Sequence, residues 1–142
     1  MVACSEEAPD CWLNLDQIRN YRDSGDFERA TAGLENISSC LESQGEPKQM
    51  RFHYHQGWLF HEEGKFEQAI EAYNKGLVYQ PDYVFAYWRR GLAYESLGRQ
   101  EDASINYREA MRVGEETLPE FLEILNEYPE IEEKLLPYAS TK

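Results

Sequence analysis

The chain has 142 residues, room for one domain of ordinary size, and 29% charged with 42% hydrophobic residues predicts folding rather than disorder. A net charge of −13 repels phosphate backbones and argues against general nucleic-acid binding, and no apolar run reaches the roughly 18 residues that would cross a bilayer. Val and Thr are scarce, Asn-Gly and Asp-Gly hairpin signals are absent, and Ala, Glu, Leu, Arg and Gln are plentiful, so the expected class is all-α.

In chain order, residues 1–10, "MVACSEEAPD", read as a tail. The next stretch, "YRDSGDFERATAGL", carries Tyr21, Gly25, Phe27 and Ala30. "ESQGEPK", Glu42 to Lys48, is rich in turn formers and reads as a loop. Beyond it the sequence repeats at a period of 34. Gly57 falls 34 residues before Gly91, Phe60 before Tyr94, Gly64 before Gly98, Ala69 before Ala103, Tyr73 before Tyr107 and Gly76 before Ala110. Glycine, aromatic or small character is kept at every step. Gly25 lies 39 residues before Gly64, so the loop absorbs the difference.

This pattern resembles the tetratricopeptide repeat, a helix–turn–helix unit of about 34 residues. The resemblance rests on Gly57, Phe60, Gly64, Phe66, Ala69, Tyr73, Gly76 and Pro81, and on Tyr87, Gly91, Tyr94, Gly98, Ala103, Tyr107 and Ala110. It implies an all-α, right-handed α-solenoid in a single domain, 11–142, with units at 11–44, 50–83 and 84–116. Small Gly57, Ala69, Gly91 and Ala103 let paired helices approach, while Phe60 and Tyr73 fill the space beside them. Gly64 and Gly98 supply the positive φ that ends a helix, and Pro81 cannot continue one. The first unit is degenerate: Ile18 and Ile37 stand where small residues are expected, which predicts different packing there.

After Gly114 the pattern stops. Thr117 is placed to cap a helix with Pro119 in its first turn, and Leu118, Phe121, Leu122 and Leu125 form an apolar stripe. Pro129 starts a further short stretch with Ile131, Leu135 and Leu136 apolar. Residues 117–138 are therefore expected to be capping helices that cover the last repeat.

"RFHYHQGWLFHEEG", Arg51 to Gly64, holds all three histidines. On one helix His53 and His55 point roughly 200° apart, and His55 and His61 roughly 120° apart, so they do not chelate one ion. The H-E-x-x-H spacing of zinc helices is missing, as are a Gly-rich phosphate loop and G-x-S-x-G. No metal, cofactor, small-molecule substrate or catalytic residue is expected, and the reading is non-enzymatic. His53, Gly57 and Phe60 belong to the packed side. Arg51, Tyr54, Trp58 and His61 form a separate stripe that, by the resemblance, faces a concave groove. Phe85, Trp88 and Arg89 occupy equivalent places in the third unit, and Trp12 and Arg19 in the first. The expected groove, which also includes His55, is aromatic and basic, with Trp58 and Trp88 exposed in it, and Trp, Tyr and Arg are the residues enriched at binding hot spots. Relatives that grip acidic chaperone tails use a clamp of lysines, asparagines and an arginine. At those places stand Leu15, Arg19, His55, Phe85 and Arg89, and only Arg89 matches.

In a unit of this family the start of the first helix lies beside the end of the second. Cys11 and Cys40 are therefore candidates for a disulfide, with two buried free thiols as the alternative. "VAC" before a polar segment resembles the cleavage region of a bacterial lipoprotein, with Cys4 as the lipidated residue. Lipid and disulfide together would place the protein in the periplasm, anchored to a membrane; without them it is cytoplasmic. The expected function is a module that captures one protein or peptide partner. Three jobs share that chemistry: an envelope assembly lipoprotein, an immunity protein against a secreted toxin, and a cytoplasmic chaperone for a secreted substrate.

Overall fold

The computed structural model describes residues 7–140, so the Cys4 expectation lies outside the described residues. Among the described residues eight α-helices follow one another: α1 (Leu15–Asp23), α2 (Phe27–Ser43), α3 (Met50–Glu62), α4 (Phe66–Tyr79), α5 (Val84–Ser96), α6 (Gln100–Thr117), α7 (Phe121–Leu125) and α8 (Pro129–Leu135), with a 3₁₀ turn at Leu136–Tyr138. Among the described residues there is no strand. The chain divides into two compact units, one ending at Lys48 and the other beginning at Gln49.

All three helix pairs turn in the same way. Gly25, Gly64 and Gly98 have φ of 81°, 76° and 74°, the left-handed region that glycine enters without a Cβ penalty. The next residue's N–H reaches back to the carbonyl of an aromatic residue: Asp26 to Tyr21 at 2.8 Å, Lys65 to Phe60 at 2.8 Å and Arg99 to Tyr94 at 2.9 Å. This is the Schellman closure of a helix end.

Packing separates the first unit from the second. In the second, Gly57 and Gly91 lie against the rings of Tyr73 and Tyr107; a Cβ there would sit 2.6 Å and 2.4 Å from ring carbons. In the first, the bulk is exchanged between helices. Ile18 stands on α1 where glycine would be, and Gly33 on α2 makes room for it, with Ile18 Cγ1 2.5 Å from where a Cβ would lie. Leu15, Ile18, Leu34, Ile37 and Leu41 form the buried face of this pair.

The Cys11 and Cys40 sulfurs are 2.01 Å apart and their Cα atoms 5.6 Å apart, which joins the segment before α1 to the last turns of α2. Gln44 Nε2 donates to the Pro9 carbonyl at 2.6 Å beside that link.

The C-terminal helices close the second unit on α6, but in a different register from the expected one. Thr117 caps no helix: it is the last residue of α6, and its hydroxyl donates to the Val113 carbonyl at 2.7 Å. The chain leaves helical conformation at Leu118, passes through Glu120 at φ 59°, and resumes at Phe121. The four-residue apolar stripe needed one continuous helix and is therefore broken. Phe121 and Leu125 are buried, Phe121 against Gly114, whereas Leu118 and Leu122 face outward. Ile131 and Leu135 are buried and Leu136 is exposed. Lys134 Nζ holds both oxygens of Glu95 at 3.0 Å and ties α8 to α5.

Candidate functional site

The residues with recognition chemistry gather on α3 and α5 of the second unit. Tyr54 and Trp58 are one turn apart on α3, and their rings meet edge to face with centroids 5.9 Å apart. Tyr54 also meets Tyr83 at 5.3 Å, Tyr83 meets Phe85 at 5.8 Å, and Phe85 meets Tyr128 at 6.2 Å. The result is a row of aromatic edges and faces from α3 to the segment before α8. Such contacts favour T-shaped geometry because ring edges are positive and faces negative. Tyr83 and Tyr128 were not foreseen in the sequence, since both lie just outside helices where no periodicity marks them.

Arg89 lies across this row. Its guanidinium carbon is 3.3 Å from the Trp58 ring centre, 4.8 Å from that of Trp88 and 5.7 Å from that of Tyr54. Its Nε donates to the Tyr54 hydroxyl at 2.9 Å. Arg89 is only 8% exposed. Arginine is suited to such burial because its planar, weakly hydrated cation stacks on π faces. Among the described residues its recorded partners are these neutral groups, with no carboxylate ion pair. By contrast Arg19, Arg29, Arg99 and Arg112 each pair with an acidic side chain. Among the described residues no carboxylate forms an ion pair with Arg89, in a chain that carries net −13.

His61 follows Trp58 on the same stripe. Its ring meets Phe66 edge to face at 5.1 Å. Burial lowers its pKa, with the Arg89 cation acting in the same direction and Glu62 opposing both. Trp58 is half-buried, and its indole N–H donates to Glu62 at 3.3 Å.

Several expected groove residues lie elsewhere. Trp88 is buried among Val84, Tyr107 and Met111 and belongs to the core, not to an exposed face. Consecutive residues on a helix point about 100° apart, so Trp88 turns inward when Arg89 takes the α3-facing position. His55 is buried with its ring against Tyr54, and so supports the face rather than lining it. Arg51 is exposed at the start of α3. Trp12, half-buried, and Arg19, exposed and paired with Asp16 at 3.0 Å, belong to the first unit. His53 stacks on Tyr79 with centroids 6.1 Å apart, a packing role. Among the described residues no group of three or more His, Cys, Asp or Glu side chains could hold a metal ion.

Two family models match this unit: "TPR repeat" over residues 57–98 and "Tetratricopeptide repeat" over residues 86–113. Residues 57–113 carry tetratricopeptide repeats. Glycine against tyrosine in each helix pair, and glycine in each turn, are the physical content of those matches. No curated protein matches the sequence. Solved tetratricopeptide structures share the fold at low identity. PcrH, in complex with the chaperone binding region of PopB, is 14% identical with a TM-score of 0.65, covering 97% of each chain. The first TPR of Spaghetti (RPAP3), bound to the HSP90 peptide SRMEEVD, is 17% identical with a TM-score of 0.61, covering 92% of this chain and 96% of that one. MamA is 17% identical with a TM-score of 0.62, covering 93% of this chain and 75% of that one.

Proposed function

We propose that this protein is a non-catalytic capture module, and that the α3–α5 face of its second unit holds a segment of a partner protein. The observation that carries the reading is Arg89: a buried cation stacked on Trp58 and bonded to Tyr54, yet paired with no carboxylate. A partner segment that presents an apolar or aromatic side chain to the aromatic row and an acidic group to Arg89 satisfies both. The tetratricopeptide neighbours held with PopB and with an HSP90 peptide support a peptide-like ligand. A chaperone tail of the HSP90 kind fits poorly, because the other four clamp places hold Leu15, Arg19, His55 and Phe85.

The test is affinity capture with the intact protein from its own organism, followed by direct binding of the captured partner to wild type, Trp58→Ala and Arg89→Lys. Loss of binding in both variants, with helical content retained, supports the reading; unchanged affinity in both overturns it.

Two biological settings have their own support. The likeness to PcrH with PopB over 97% of both chains favours a chaperone for another protein's segment. The proximity of Cys11 and Cys40 favours an envelope assembly role in an oxidising compartment such as the periplasm.

A further inference from the structure

The C-terminal end of the second unit carries apolar side chains that the core does not use. Leu118 is 37% exposed and Leu122 is 47% exposed, because the break in helix between Leu118 and Phe121 turns both outward. They line an open cavity of about 580 Å³ together with Glu115, Glu116, Glu120 and Glu123. Glu115 is engaged by Ser140, and Glu116 by Arg112. Arg112, the cation beside this cavity among the described residues, is held by Glu109 and Glu116. Residues 113–133 contain eight glutamates and no lysine, arginine or histidine. Lys134, the next cation, is committed to Glu95. Glu120, Glu123, Glu127, Glu130, Glu132 and Glu133 have no ion pair among the described residues.

We propose that this apolar groove is a second docking surface, and that its occupant is a cationic amphipathic helix of a partner protein. The occupant follows from complementarity. The exposed leucines match an apolar stripe, and Glu120 and Glu123, without an ion pair among the described residues, match cations beside it. One helix with apolar residues at i, i+3 and i+4 and lysines or arginines on its flanks supplies both. Anionic lipid surfaces and nucleic acids bring the wrong sign of charge. The acidic field also steers a basic partner to the site. This surface uses none of the residues of the α3–α5 face.

The test uses the intact protein and two synthetic 18-residue peptides of lysine and leucine. One has leucines at helical spacing; the other has the same composition scrambled to destroy the stripe. Binding is measured by fluorescence anisotropy at 0.15 M salt. The amphipathic peptide is expected to bind at least tenfold more tightly than the scrambled one. Leu118→Asn with Leu122→Asn removes that advantage. Glu120→Gln with Glu123→Gln weakens binding about three- to tenfold, the loss of two exposed ion pairs. Glu28→Gln with Glu35→Gln, on exposed positions of α2, and Trp58→Ala leave it unchanged. Equal binding of both peptides, an equal loss with the α2 control, no effect of the leucine changes, or no binding at all would each overturn the proposal.

Discussion

Arg89 lies over Trp58, its guanidinium carbon 3.3 Å from the ring centre. The indole holds the cation in place without an ion pair, and in the proposed reading that charge meets an acidic group of the partner. Trp58→Ala is expected to lower partner affinity at least tenfold, and Arg89→Lys to do the same although it keeps the charge, because an ammonium neither stacks nor forks. Arg89→Ala also removes buried packing and the Tyr54 hydrogen bond, at a cost of about 1–3 kcal/mol in stability. Titration calorimetry with the captured partner, beside urea unfolding of each variant, separates the two effects.

The repeat glycines give a sharper stability test. A Cβ at Gly57 or Gly91 would fall 2.6 Å or 2.4 Å from the ring carbons of Tyr73 or Tyr107. Neither ring sits at the free end of a flexible chain; Tyr73 is fully enclosed. Gly57→Ala and Gly91→Ala are each expected to destabilise by about 1–3 kcal/mol through overpacking. Gly64→Ala meets nothing in space, but φ of 76° costs it about 1 kcal/mol. Thermal melts in which Gly91→Ala equals wild type would refute the packing account.

These glycines were legible because they recur at a fixed period, and a period of 34 names a helix pair before any coordinate is known. The site was legible only in part. Arg51, Tyr54, Trp58 and His61 share a stripe at 0, +3, +7 and +10, yet Arg51 stays exposed while Tyr54 is buried. A stripe tells which residues share a side of a helix, not how deep the neighbouring helix covers them. Trp88 and Arg89 were both read as groove residues, although adjacent positions diverge by about 100°. The leucines at 118 and 122 looked like core because nothing in the residue pattern announced the left-handed backbone at Glu120. Aromatic residues outside helices, Tyr83 and Tyr128, carried no periodic signal at all.

The link between Cys11 and Cys40 closes a loop of 29 residues around α1 and most of α2. In the chain-entropy picture a loop of that length contributes about 3–4 kcal/mol. Its loss should fall on α1, which has nine residues and no side-chain cap at Asn14. Cys11→Ser with Cys40→Ser is expected to raise amide exchange across α1 and leave α3 to α6 protected. Peptide mapping under non-reducing conditions checks the bond itself; two free thiols in the oxidised protein would remove the basis for this expectation.

His61 gives a pH dependence whose sign is fixed by its surroundings. Burial, aided by the nearby Arg89 cation, lowers its pKa from the ordinary 6.5. The unfolded chain therefore takes up the proton more readily than the folded one. The contribution of neutral His61 is fully present above about pH 6.5 and is lost as the pH falls below it toward the folded pKa. Between pH 7.5 and pH 5 the wild type should lose more stability than His61→Gln, which has no proton to gain. Urea midpoints for both proteins across that range measure the difference. Parallel losses would mean that His61 titrates alike in the two states, and that its packing against Phe66 does not exclude the charged form.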